Sequence, residues 1–222
     1  MADWAAHAER EIERYRDGER RLPDAADSDA RQRQLTRMGN AAGGAGLALL
    51  MDDCADDASE WFHRAAERYC ESIDGAPPGS WGRPIGAMKA LVLADDWHGA
   101  EEAAHWALEL GAGEAESPIG RYAGSLALLV LGRDAGARVL TGSLRERDDF
   151  PHDVADVLAA LAASDRHRYV PAVESVLESF ETREDYLEEL PVADTVLVLQ
   201  ALAARRGLAA ELGSPLLPSP TS

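Results

Sequence analysis

Proline stands at positions 84, 118, 151 and 191, at intervals of 34, 33 and 40 residues, and each one opens an apolar run. Two openings are nearly the same: RPIGAMKALVLADD at Arg83–Asp96 and SPIGRYAGSLALLVLGRD at Ser117–Asp134. Proline suits the first position of a helix, because its fixed φ matches the helix and its missing N–H would have no partner there. The first three runs close on tight polar turns at Ala94–Asp96, Gly132–Asp134 and Ser164–Arg166. An amphipathic partner then follows, clearest at Trp97–Leu110, where Trp97, Ala100, Ala104, Ala107 and Leu108 are expected inward. A helix, a turn, a second helix and a new proline at a period near 34 form a tetratricopeptide-like plan. Such pairs bury their apolar faces only by stacking. The expected fold is therefore all-α, an α-solenoid of antiparallel helix pairs with roughly ten helices and one concave face.

Patterning elsewhere agrees. Val, Ile and Thr are sparse beside Ala and Leu, and no stretch alternates apolar and polar residues for long. From Ile119 the apolar residues fall at Ile119, Tyr122, Ala123, Leu126, Leu129 and Val130, which places them on one helical face. A first helix is expected from Asp3 to Leu22, with Trp4, Ala8, Ile12 and Tyr15 on one face and Pro23 ending it. A second starts at Ser28 or Asp29 and passes through GNAAGGAG; Asp52–Asp57 is a turn; a third carries Trp61, Ala65 and Tyr69 inward. Pro171 interrupts the helix expected over Arg166–Phe180, either kinking it or marking a later start. The whole reads as a single helical-repeat domain over 1–222: N-terminal helices in 1–74, helix pairs in 83–207 and a tail in 208–222.

Charge narrows the partners. Acidic side chains outnumber basic ones 40 to 22, for a net charge of −18, and Lys89 is the only lysine. An ordinary acidic bacterial protein keeps its lysines, and a mimic of nucleic acid has no reason to exclude them. A halophile with a salt-filled cytoplasm fits both facts, since at molar salt the Debye length falls to about 3 Å and self-repulsion is screened. Nucleic acid is an unsuitable partner for a chain without a basic stripe. The N-terminus MADWAAHAEREIERY is charged and amphipathic, unlike a secretory signal. Apolar stretches such as Leu126–Leu131 fall far short of the ~20 residues that span a bilayer. A cytoplasmic protein without membrane contact is expected.

GNAAGGAG at Gly39–Gly46 lacks the GK[ST] ending of a phosphate loop and has no strand before it, so close helix packing explains it better. Pro-Ile-Gly fails the same test. Cys54 and Cys70 have no zinc-ligand spacing and read as buried thiols, and the six histidines read as surface or partly packed groups. Acidic pairs at Asp52/Asp53, Asp95/Asp96, Glu101/Glu102 and Asp148/Asp149 fall in turns or at helix starts, where carboxylates favour the helix dipole. No catalytic residue, metal site or cofactor is expected. Trp81, Arg83, Arg121 and Tyr122 remain as partner-binding candidates: they flank equivalent repeat helices, which tends to align them on one groove, and their types are enriched at binding hot spots. The plainer alternative has Trp81 and Tyr122 packing the joint while the arginines pair with nearby acids.

LPVADTVLVLQALAARRG at Leu190–Gly207, followed by LAAELGSPLLP at Leu208–Pro218, resembles the C-terminal signature of the immunity protein 49 family. The upstream order of paired Ala-rich helices and a DDFP turn at Asp148–Pro151 is similar too, so the resemblance covers Ser80–Pro218. It implies an all-α protein that neutralises a polymorphic toxin by binding it, with no catalytic residues to carry over. The alternatives from the residues alone are a general scaffold or adaptor in a halophilic archaeon, and an unrecognised helical enzyme.

Overall fold

The computed structural model describes residues 3–186 and 189–219. Among the described residues there are ten α-helices and no strand: α1 (Trp4–Arg21), α2 (Ser28–Met51), α3 (Ala55–Glu71), α4 (Gly82–Leu93), α5 (Trp97–Glu109), α6 (Pro118–Val130), α7 (Asp134–Arg145), α8 (His152–Ala163), α9 (Arg166–Glu181) and α10 (Asp194–Ala204). The protein is an all-α stack in which helices pack on their chain neighbours. Two compact units make it up, one holding residues up to Asp95 with 185–192 and 215 onward, the other Asp96–Glu184 and Ala193–Ser214. The division falls between the helices that begin and end the first expected pair, so α4 packs on α3 while α5 packs on α6.

In the first unit, packing is set by where side chains are missing. A Cβ at Gly39 would lie 2.9 Å from the Tyr69 ring, and one at Gly46 would lie 2.7 Å from Phe62. The glycines of α2 are thus gaps for the aromatic rings of α3, and their opposite order makes the two helices antiparallel. A Cβ at Gly86 of α4 would lie 2.6 Å from the other side of the Tyr69 ring. The same logic seats α1: a Cβ at Gly18 would lie 2.5 Å from Met38, and one at Gly44 would lie 3.1 Å from Glu11. Glu11 is fully buried on the face of α1 that carries Ala8 and Tyr15. Its carboxylate is held by Arg10 at 3.0 Å and Arg14 at 2.8 Å, the pairing a buried charge requires. Tyr15 meets Trp61 edge-on at 5.3 Å.

In the second unit α6 is buried on nearly every side, from Gly120 through Tyr122–Ala127 to Leu129 and Val130. Antiparallel contact with α7 follows from paired gaps: Gly124 faces Leu140, and Gly136 faces Leu128. Arg138 donates to the Ala162 carbonyl at 2.8 Å and Arg145 pairs with Asp156 at 2.6 Å, which runs α7 against α8. α10 rests on α8 and α9. Beyond it, Gln200 accepts from the Ala210 N–H and donates to the Ala210 carbonyl, at 3.1 and 2.6 Å, while Tyr169 donates to its oxygen at 2.7 Å. Burial pushes the Tyr169 hydroxyl well above its ordinary range, so it stays a donor there.

Several expectations need correction. Ile119 is 46% exposed and does not share the buried face of Tyr122. A helix apolar all round has no single face, so its periodicity assigns none. Trp97 and Leu108 are half-buried; Trp97 instead carries the Arg205 guanidinium 4.3 Å over its ring. Cys70 is exposed, off the apolar stripe of α3, and Cys54 is half-buried at the cap position before that helix. The turn at Asp52 ends at Cys54, and α3 takes Asp56 and Asp57 into its first turn, where the dipole favours them. Pro171 lies inside an unbroken α9, exposed, with Asp165 capping the helix start.

Candidate protein-binding surface

The turns that end helices prepare the surface between them. At the N-terminus of α6, Ser117 accepts from the Gly120 N–H at 3.2 Å and Pro118 takes the first helical position, so the helix begins sharply. Ile119 is thereby left in the first turn, facing solvent. Before it, residues 111–117 fold back as a short turn whose Ala112 carbonyl would lie only 2.5 Å from a Cβ at Gly124. Arg121 fixes this turn by donating from Nε to the Ala115 carbonyl at 3.2 Å. Leu110, at the other end of the turn, is 41% exposed.

A second loop, 146–151, meets the first. Tyr122, buried, places its ring 5.7 Å from Phe150. Arg147 grips Asp149 through two bonds of 2.7 Å and reaches the Glu116 carbonyl at 3.4 Å. The hydrogen bond from Arg147 holds the Asp149 carboxyl below its usual range, and the same bond raises Arg147. The second unit therefore exposes Leu110 and Ile119 at the two ends of the segment 110–119, and directs Arg121 and Arg147 to the Ala115 and Glu116 carbonyls within that segment. Chemically this segment offers two exposed aliphatic side chains and two guanidinium groups whose directions are set by hydrogen bonds.

The four residues expected to form a groove fall in different units. Trp81 and Arg83 belong to the first, Arg121 and Tyr122 to the second. Trp81 is half-exposed ahead of α4. Arg83 turns inward, donating to the Ser72 carbonyl and hydroxyl at 3.0 Å each and to the Gln32 side-chain oxygen, and burial lowers its pKa. Among the described residues neither Arg83 nor Arg121 pairs with an acid; both donate to neutral oxygens. Tyr122 supports the loop 146–151 from beneath. Leu110, Ile119 and Arg147 are the members that sequence reasoning missed. The signal for Ile119 was its place directly after an N-terminal proline, where neighbouring helices give least cover.

Among the described residues no group of three or more His, Cys, Asp or Glu is placed to hold a metal ion, and no helix is long and apolar enough to cross a membrane. No family model matches the chain, and no curated protein or solved structure matches it either.

Proposed function

We propose that this chain is a non-catalytic protein-binding module, acting in the cytoplasm by occupying a partner, and that the partner is a toxin domain. The binding reading is carried by the segment 110–119 of the second unit, which exposes Leu110 and Ile119 at its ends and accepts from Arg121 and Arg147 at its Ala115 and Glu116 carbonyls. Exposed aliphatic side chains with arginines in the same segment's hydrogen-bond network suit a protein surface, because apolar groups gain from losing water while guanidinium groups supply directed donors. The toxin reading rests on the resemblance, read from the sequence alone, of Leu190–Pro218 to the C-terminal signature of the immunity protein 49 family.

The test is co-expression with a toxin-like gene neighbouring this one, scored by growth and by co-elution of the two proteins; a neighbourhood holding no such gene defeats the toxin reading. Ile119→Asp is the diagnostic variant. It places a charge in the contact, yet sits in the first turn of α6, where an acid favours the dipole, so helicity and melting temperature should hold. Loss of a central contact costs about 2 kcal/mol or more, roughly thirtyfold in affinity. Growth unrescued by the wild type defeats the toxin reading. A complex unaffected by Ile119→Asp defeats the surface.

A further inference from the structure

We propose that a second contact, the cleft at the bend between α1 and α2, binds a short acidic peptide segment of a partner protein; this deepens the protein-binding reading above. The last turn of α1, the turn Leu22–Asp24 and the first half of α2 enclose a cleft of about 380 Å³. Arg21, Arg33, Arg37 and Gln34 line it. Its remaining surface is mostly Ala25, Ala26 and Ala30, with one acid, Asp24. Alanine lets a bound backbone approach closely, and the arginines stand where its carboxylates would fall.

Helix stability accounts for Arg21 and Arg33, each paired with an acid one turn before it, but not for Arg37, which stands one turn from Arg33 on the same face, a like-charged pair that disfavours the helix. Two of the three are already oriented: Asp17 holds Arg21 at 2.6 Å, and Asp29 holds Arg33. One carboxylate covers only part of a guanidinium, which carries five donors. Arg37 is exposed, and among the described residues no carboxylate lies within ion-pairing distance of it.

Charge selects the occupant. Residues 1–40 carry eight arginines against nine acids, close to neutral, while the whole chain stands at −18. A long polyanion laid here would extend into the field of the remaining surface and be repelled. A segment with a few carboxylates meets only the balanced region, and its carboxylates match the fork of each arginine.

The probe is a fluorescein-labelled hexaglutamate peptide, followed by fluorescence anisotropy at the lowest KCl concentration that leaves the circular dichroism of the protein unchanged. Saturable binding is expected, weakened at least tenfold by Arg33→Gln with Arg37→Gln and less by Arg37→Gln alone. Arg133→Gln, an exposed site in the other unit, should leave it unchanged. Glutamine is a good helix former, so both variants should keep full helicity. Absence of saturable binding, equal affinity in the double variant, an equal loss in Arg133→Gln or displacement by equimolar orthophosphate would each overturn the proposal. Since Ile119 belongs to the other unit, failure at this cleft and failure of the protein-binding reading are read separately.

Discussion

Tyr69 shows how much one residue decides. Its ring lies between the backbone of Gly39 on one helix and Gly86 on another, and its hydroxyl donates to the Asn40 side chain at 2.9 Å, so the ring is held at both edge and tip. Gly86→Ala puts a methyl group 2.6 Å from that ring. Overpacking of this kind costs about 1–3 kcal/mol, and a thermal melt should show a fall of several degrees. An unchanged melting temperature would mean that the ring can move aside. The glycine run at Gly39–Gly46 was legible as close helix packing, because small residues without a phosphate-loop ending have few other uses. Which rings enter the gaps was not, since Tyr69 and Phe62 come from a different helix and nothing local pairs them with Gly39 and Gly46. Arg83 was equally opaque. Its long stem can carry the guanidinium outward or inward, and only the position of the Ser72 carbonyl decides.

At the scale of elements, the proline spacing located helix starts well: α4, α6 and α8 begin within two residues of Pro84, Pro118 and Pro151, and α10 begins at Asp194, three beyond Pro191. The turns carry a regularity that composition hides. Asp53, Asp95, Gly132 and Ser164, at φ of 62°, 57°, 65° and 53°, each put one left-handed residue between consecutive helices. Bonds to carbonyls five residues back then close α2, α6 and α8, at 2.9, 2.8 and 3.0 Å from the N–H groups of Cys54, Arg133 and Asp165. Glycine marks this geometry in sequence, and only one of the four turns has it. Ser164 is exposed and holds the left-handed conformation against its own Cβ. Ser164→Gly should therefore stabilise the protein by about 0.5–1 kcal/mol, visible as a higher urea midpoint at constant slope. A lower midpoint would show that the serine contributes something its backbone strain does not reveal.

For the whole molecule the question is which way salt acts, since two effects oppose. Exposed arginine pairs such as Arg20–Glu13, Arg145–Asp156 and Arg147–Asp149 are weakened by salt, but surface pairs of this kind contribute only about 0–1 kcal/mol each. Self-repulsion works in the other direction. Even with every basic group paired once, acids remain in excess by the net 18 charges, and most of them lie on the surface. Each feels every other within a Debye length, which is about 3 Å in molar salt and about 10 Å or more at 0.1 M and below. Pairs are few and local, whereas repulsion sums over the surface and grows as the screening length increases. The second effect should win, and the melting temperature should fall steadily as KCl is lowered from molar to tens of millimolar. The same series in which the ionic strength is held by a salt of different anion separates screening from specific ion effects: screening predicts the same curve for both. A melting temperature that stays level, or rises as salt is removed, would mean that the arginine pairs outweigh the acidic excess and that the composition is no adaptation to salt.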